Sequence, residues 1–369
     1  MLRKHCSVAV NVTFVLLLAL FLGIYTRLVT PEVTSAQDAT PTTEATNEAE
    51  EYEYHFVMVS HIGPNDPNQA WLTFAIAEFE ERFPEVKIDY VGATQSGIEE
   101  LVTLARQAIA TKPDGIAIPI LSSEPLDPIL RDAITKDGIP VVAFNISDPR
   151  PAEERIPYLA YVGGGEEQVG TMLAKEVLDS AKAGDIPEPT GSVCVDWDPS
   201  HQGLAARCRG FAAVMGASGV STETLTISQN QADAVNTIEA YLQGHPDVNV
   251  IFAVTAGSGP WVYAAAKDLD LSPDVDTEGV TILSVDESPV SLEGIKGGHI
   301  LATHSQGFYL QGFTPFEILY WNRELGYVPF NDVLTGPILI DKNNIDKWIP
   351  LTRKIFGDQY DKLAQGQWE

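Results

Sequence analysis

Apolar residues recur along this chain with two alternating periods. Leu101, Leu104, Ala105, Ala108 and Ile109 fall at three- and four-residue spacing on one face of a helix, and Ser96 with Glu99 has the pattern of a capping box at its start. The helical pattern stops at Lys112-Pro113-Asp114-Gly115. The apolar run 115–120 is too short for a helix and reads as a strand buried on both faces. A second helix is predicted from Leu126 to Asp137, closed by Gly138, and a second buried strand from Ile139 to Ile146. Helix, strand, helix, strand with short links predicts a parallel sheet with right-handed crossovers. Small ligands bind beyond the carboxyl ends of such strands, which puts Asn145 at a mouth.

The same alternation extends in both directions. Tyr54 to Ser60 is the first predicted strand, and the helix from Trp71 to Phe83 turns Leu72, Ala75, Ile76 and Phe79 inward. Strand 158–162 leads through Gly163-Gly164-Gly165 into a helix from Glu166 to about Ala181. Strands 192–196, 248–255, 280–286 and 300–305 then alternate with helices 204–217, 232–243, 260–269 and 289–296. The pattern of the first half thus recurs, which predicts an α/β fold of two similar, Rossmann-like lobes with parallel sheets.

Composition adds the setting. Arg3 and Lys4 precede an apolar run from Val8 to Ile24, the signature of export. Two readings stay open: a signal peptide cut near Thr34-Ser35-Ala36, or an N-terminal anchor that is retained and is the chain's only contact with a membrane. Residues 37–53, rich in Thr, Ala and Glu, cannot bury enough apolar surface to order themselves and are expected to be a flexible acidic linker. A net charge of −28 over 369 residues argues against nucleic acid or an anionic membrane as partner. Cys194 and Cys208 are the only cysteines after the leader, so an exported chain is expected to join them in a disulfide; two buried free thiols are the alternative.

Several segments, in order, carry a family resemblance. Tyr90-Val-Gly92, Lys112-Pro-Asp-Gly-Ile-Ala-Ile118, Gly138-Ile-Pro-Val-Val-Ala-Phe-Asn145, Arg207-Cys-Arg-Gly-Phe211, Ser284-Val-Asp286 and Gln306-Gly-Phe-Tyr-Leu-Gln-Gly312 resemble the sugar-binding, ribose-type branch of the type I periplasmic binding proteins. These are the solute receptors of ABC importers, and the resemblance covers about residues 54 to 345. It implies three crossings between lobes, near residues 161, 306 and 336. The expected organisation is a leader at 1–36, the linker at 37–53, an N-terminal lobe of 54–161 plus 307–335, and a C-terminal lobe of 162–306 plus 336–369.

A sugar needs carboxylates and amides for its hydroxyls and flat aromatics for its faces. Asn145, Arg207, Asp286 and Gln306 are candidates of the first kind; Trp71, Phe144, Trp197 and Trp261 are candidates of the second. By resemblance the loop holding Asn65 and Asp66 also meets the ligand. Asn145 stands where ribose receptors carry Asp, Thr255 where they carry Asn, and Ala256 where an Asp follows, so a different sugar or a cyclitol is implied. Some of these residues have a second reading. Trp71 and Trp261 could close the core instead, Arg207 could pair with a surface acid, and Asp286 could cap the helix at Pro289.

Catalytic signatures are missing. Ser258 lacks the first glycine of a nucleophile elbow, the seven histidines show no metal-binding spacing, and no Walker loop occurs. Neither cofactor nor metal is expected. The reading is an exported two-lobe receptor that binds a monosaccharide or cyclitol and presents it to an ABC permease with its ATPase. The rivals are a sugar or autoinducer sensor facing a membrane receptor and, from another class, an enzyme on a similar scaffold.

Overall fold

A computed structural model of the chain describes residues 52–368, apart from 65, 272 and 276–278. The leader, nearly all of the acidic linker and candidate Asn65 lie outside the described residues. The first half runs β1 (Tyr54–Ser60), α1 (Gln69–Arg82), β2 (Val86–Gly92), α2 (Ile98–Ala110), β3 (Gly115–Ile118), α3 (Ser123–Thr135), β4 (Val141–Phe144) and β5 (Tyr161–Gly164). The chain continues through α4 (Glu166–Ala183), β6 (Ser192–Asp196), α5 (Gln202–Ala217), β7 (Thr222–Thr226), α6 (Gln231–Gly244), β8 (Val250–Ala253), α7 (Ser258–Asp268), β9 (Thr281–Leu283), α8 (Pro289–Lys296) and β10 (Ala302–Ser305). It ends with α9 (Phe308–Leu325), β11 (Val333–Gly336), β12 (Ile338–Asp341), α10 (Ile345–Phe356) and α11 (Gln359–Ala364).

The architecture is α/β with two parallel sheets. The first has the order β11-β5-β4-β3-β1-β2 and the second β7-β6-β8-β9. β10 runs beside β9 through the bonds Leu301 N to Ile282 O (2.8 Å) and Ser284 N to Ala302 O (3.2 Å), and it pairs antiparallel with β12. The second lobe therefore repeats the spatial order of the first, with β12 in the place of β11. The central strands Gly-Ile-Ala-Ile of β3 and Val-Val-Ala-Phe of β4 are buried throughout because helices cover both faces of the sheet.

Three segments join the lobes: Gly164 to Glu166, Ser305 to Phe308, and Gly336-Pro337, whose peptide bond is cis. β5 stays in the first sheet through Gly164, so the first lobe extends past Tyr161.

Two local expectations fail for physical reasons. Ser96 and Glu99 form no capping box; Gly97 precedes α2 with no side-chain cap. Instead the carboxylate of Glu100 accepts from Thr94 N (2.9 Å) and Gln95 N (3.3 Å), ordering the loop before the helix. α3 begins at Ser123, ahead of Leu126, because Pro125 lies in the first turn, where a backbone N–H has no helical acceptor to lose.

Close packing of α4 on α5 matters most for the site. A Cβ on Gly170 would stand 1.9 Å from Arg207 O, and one on Gly210 would stand 2.0 Å from Glu167 O. Only glycine allows the two backbones to approach this closely, and the crossing brings Glu166 beside Arg207.

Candidate functional site

A cavity of about 350 Å³ lies where the carboxyl ends of the two sheets face each other. The loop after β1 contributes His61, Asp66 and Asn68, and Asn145 follows β4 directly. From the second lobe come Trp197 and His201 after β6, Arg207 on α5, Thr255 after β8, Trp261 on α7 and Asp286 after β9. Gln306 and Phe308 reach it from a crossing segment.

Asn145 and Asp286 both have left-handed backbones, with φ of 59° and 69°. Asn and Asp tolerate that region better than other side chains apart from Gly. The turn re-aims each residue at the end of its lobe's strand, and a hydrogen-bond chain links them. Asp286 accepts from Gln306 Nε2 through Oδ1 (2.5 Å) and from Asn68 Nδ2 through Oδ2 (2.9 Å). Asn145 Nδ2 donates to Gln306 Oε1 (3.2 Å) and Gln311 Oε1 (3.0 Å), which leaves its Oδ1 for a ligand. Gln306 is pinned in turn: its carbonyl accepts from Gln311 Nε2 (2.8 Å) and Thr335 Oγ1 (2.6 Å), and its N–H donates to Glu287 Oε2 (3.0 Å). Both lobes and the hinge thus converge on one polar surface.

Arg207 is the cation of this surface. Its Nε donates to Glu166 Oε2 and its Nη1 to Val254 O at 2.8 Å, with the two side chains 5% and 8% exposed. The guanidinium therefore meets both alternatives at once, pairing with an acid that is buried and lining the cavity. Burial works against its charge, but Glu166 and Asp286 outweigh it and raise the Arg207 pKa. The carboxyls of Asp286 and Glu166 are raised by burial, with Arg207 opposing the shift.

His61 and Asp66 line the cavity from the loop after β1. Burial, and then the Arg207 charge, lowers His61 to about 3; burial, reinforced by Asp286, raises Asp66 to about 7. His201 is pushed well below its ordinary value by burial and then by His61 and Arg207. Its Nδ1 accepts from Gly203 N (3.2 Å) and Leu204 N (3.3 Å), capping α5, so its proton sits on Nε2. The rings of His61 and His201 meet edge to face at 5.4 Å across the lobes. The result is a pair of neutral imidazoles and a site with more acid than base.

Trp197 and Trp261 stand 5.7 Å apart and form the aromatic wall. Thr255 lines the cavity while its Oγ1 bonds Ser258 Oγ (2.8 Å), which ties it to the start of α7. Asp286 does not cap α8; Ser288 does, by accepting from Ser291 N.

Two candidates belong elsewhere. Trp71 is 3% exposed and packs its ring edge against Phe356 at 6.1 Å, because it belongs to the buried stripe of α1 with Leu72, Ala75, Ile76 and Phe79. Phe144 is fully buried in the first lobe's core: it is the last residue of β4, which is covered on both faces, whereas the left-handed turn at Asn145 aims the next side chain at the cavity. His61 and His201 were open to the strand-end argument that singled out Asn145. Asn68, in the loop after β1, and Gln311, inside the quoted 306–312 segment, were within reach of the same reading; Glu166 had no local signal, since its partner Arg207 lies 41 residues away.

A disulfide joins Cys194 on β6 to Cys208 on α5, with Sγ–Sγ 2.01 Å and Cα–Cα 5.7 Å. It braces the loop that carries Trp197 and His201. Among the described residues, no group of three or more His, Cys, Asp or Glu could hold a metal ion.

The family described as "Periplasmic binding protein domain" matches residues 59–321. A xylose/arabinose-binding protein of Sulfolobus acidocaldarius is 26% identical over 272 residues, which is 72% of this chain and 65% of the relative. The match therefore spans less than two thirds of that relative's length. A solved carbohydrate transporter from Acidothermus cellulolyticus 11B, in complex with myo-inositol, has a TM-score of 0.70 at 21% identity, covering 82% of this chain and 99% of that one. An arabinose binding protein from Geobacillus stearothermophilus has a TM-score of 0.62 at 24% identity, covering 80% and 99%. At these identities the two structures establish a common fold.

Proposed function

The chain belongs to the periplasmic binding protein family, and we propose that it captures one uncharged monosaccharide or cyclitol between its lobes and delivers it to the permease of an ABC importer. The observation that carries this reading is the Asn145–Gln306–Asp286 chain, which offers amide and carboxylate groups from both lobes and the hinge to one cavity. Trp197 and Trp261 supply flat apolar surface beside those polar groups, the pairing that a sugar ring requires. Closure around the ligand is a hinge motion, driven by the ligand's greater affinity for the closed form.

The charge distribution narrows the ligand. Arg207 is already matched by Glu166 and Asp286, so a sugar acid or sugar phosphate would bring uncompensated negative charge into a buried site. Pentoses and myo-inositol, the ligands named for the Sulfolobus and Acidothermus proteins, fit the requirement for a neutral polyol.

Proteins of this family act outside the cytoplasm, and among the described residues no helix is long and apolar enough to cross a membrane. The apolar run before residue 25 is read either as a leader that is removed or as an anchor that is retained. Release of an unchanged ligand separates a receptor from an enzyme. A thermal-shift screen against D-xylose, D-arabinose, ribose and myo-inositol, followed by mass spectrometry of recovered ligand, tests both points. The reading requires a raised melting point with intact ligand; conversion of excess sugar to product rejects it in favour of the enzyme.

A further inference from the structure

Away from the cavity, one side chain of the second lobe is set into the first. Gln202 opens α5, and its backbone N–H donates to Leu121 O at 3.0 Å. Its Nε2 donates to Ile120 O and to Ser147 O, the latter at 3.0 Å. All three acceptors belong to the loops that follow β3 and β4 in the first lobe.

The loops of the socket are held by bonds within the first lobe. Ile120 N donates to Ile146 O (2.9 Å), tying the two loops together. Ser123 Oγ donates to Asp148 Oδ1 (2.9 Å), while Asp148 also accepts from Arg150 Nη2 (2.6 Å) and Ile156 N (3.0 Å). On the other side, His201 caps α5 and the disulfide at Cys208 holds the helix to β6, so Gln202 is presented from a braced position. The lobes also meet closely here: a Cβ on Gly203 would fall 2.5 Å from Ile146 Cδ1. Gln202 itself does not line the cavity.

We propose that Gln202 is a ligand-independent closing latch, a positioning residue that sets how much of the protein is closed before sugar arrives. The proposal rests on the two-lobe closure described above. When the lobes part, the three bonds of Gln202 and the one its Oε1 accepts from Ser123 Oγ (3.5 Å) are exchanged for water, so they count only toward the closed form. Apparent affinity scales with the fraction of protein that is binding-competent, so loss of the latch weakens every ligand by the same factor. A residue in direct contact with ligand would change selectivity as well.

The test uses the full chain, with spin labels on unnatural amino acids at exposed Glu124 in the first lobe and exposed Asn236 in the second. Distance distributions are recorded without ligand for the parent, Gln202→Ala and Gln202→Met; the last keeps side-chain length and helix propensity but has no amide. The parent is expected to show a short-distance closed fraction without sugar, and both variants to lose it while keeping the parent's ligand-free melting point within a few degrees. Affinities for D-xylose, D-arabinose and myo-inositol should fall about tenfold by one common factor, mainly through faster dissociation. A parent with no closed fraction, variants that retain it, or a loss that differs between sugars would each overturn the latch. If no sugar binds the parent, the distances alone decide the latch, and the sugar reading fails separately.

Discussion

Replacing Asp286 by Asn isolates the charge at the centre of the site. The substitution keeps the side chain's size and tolerates the φ of 69° that an Ala would adopt only with strain. Asp286 now accepts from Gln306 Nε2 at 2.5 Å and from Asn68 Nδ2 at 2.9 Å, one donor on each oxygen. An amide has a single oxygen, so one of these donors would face an NH2 group. A hydrogen bond to a charged group contributes about 1.5–3 kcal/mol against about 0.5–1.5 for a neutral one, so a ligand hydroxyl on residue 286 loses about 1.4 kcal/mol, or about tenfold in affinity. The fold should persist because Glu166 still pairs with Arg207. Isothermal titration with the sugar selected by thermal shift, alongside circular dichroism, reads both effects. A folded Asp286→Asn protein that binds as tightly as the parent would refute the assignment of Asp286 to the ligand.

One displaced and one retained tryptophan make a contrast. Trp71→Ala should cost about 3–5 kcal/mol in denaturant unfolding with sugar affinity retained, whereas Trp261→Ala should lose affinity at a smaller cost in stability; the reverse pattern rejects the placement. Removing the disulfide by Cys194→Ser with Cys208→Ser should destabilise by about 3 kcal/mol in the chain-entropy view, and the unreduced, unfolded parent should show no reactive thiol at either position. Burial raises Asp66 from 3.8 and Glu287 from 4.5 to about 7, so only the folded chain keeps these protons between about pH 4 and 7. Their contribution is fully present below that window and lost as pH rises through 7, so ligand-free stability should fall between pH 5 and 7. Asp66→Asn with Glu287→Gln should flatten that slope, and an unchanged slope would contradict the origin given.

Strand ends were the legible part of the site. Asn145 and Asp286 could be placed because short buried runs locate the carboxyl edges of parallel sheets whatever the details of packing. Orientation was less legible: Phe144 and Trp71 are the right residue types near the right place, yet each faces the core that its own strand or helix must fill. Boundaries drifted where local chemistry competes, as with the prolines at the start of α3. The Glu166–Arg207 pair lay beyond local reading. It exists because Gly170 and Gly210 let two helices touch, and nothing near either charged residue announces its partner. β2, β7, β11 and β12 were missed for a related reason. As sheet-edge strands with partly exposed residues they lack the apolar run that marks β3 and β4.

The central claim is that one neutral sugar or cyclitol is held between the lobes by Asn145, Asp286 and Gln306. A crystal structure of the protein with the tightest-binding member of the sugar panel tests it most directly. The account predicts a single ligand in the cavity, with hydroxyls within hydrogen-bond distance of Asn145 Oδ1 and the Asp286 carboxylate and one ring face against Trp197 or Trp261. A ligand seated elsewhere, or one in the cavity that touches neither Asn145 nor Asp286, would contradict it.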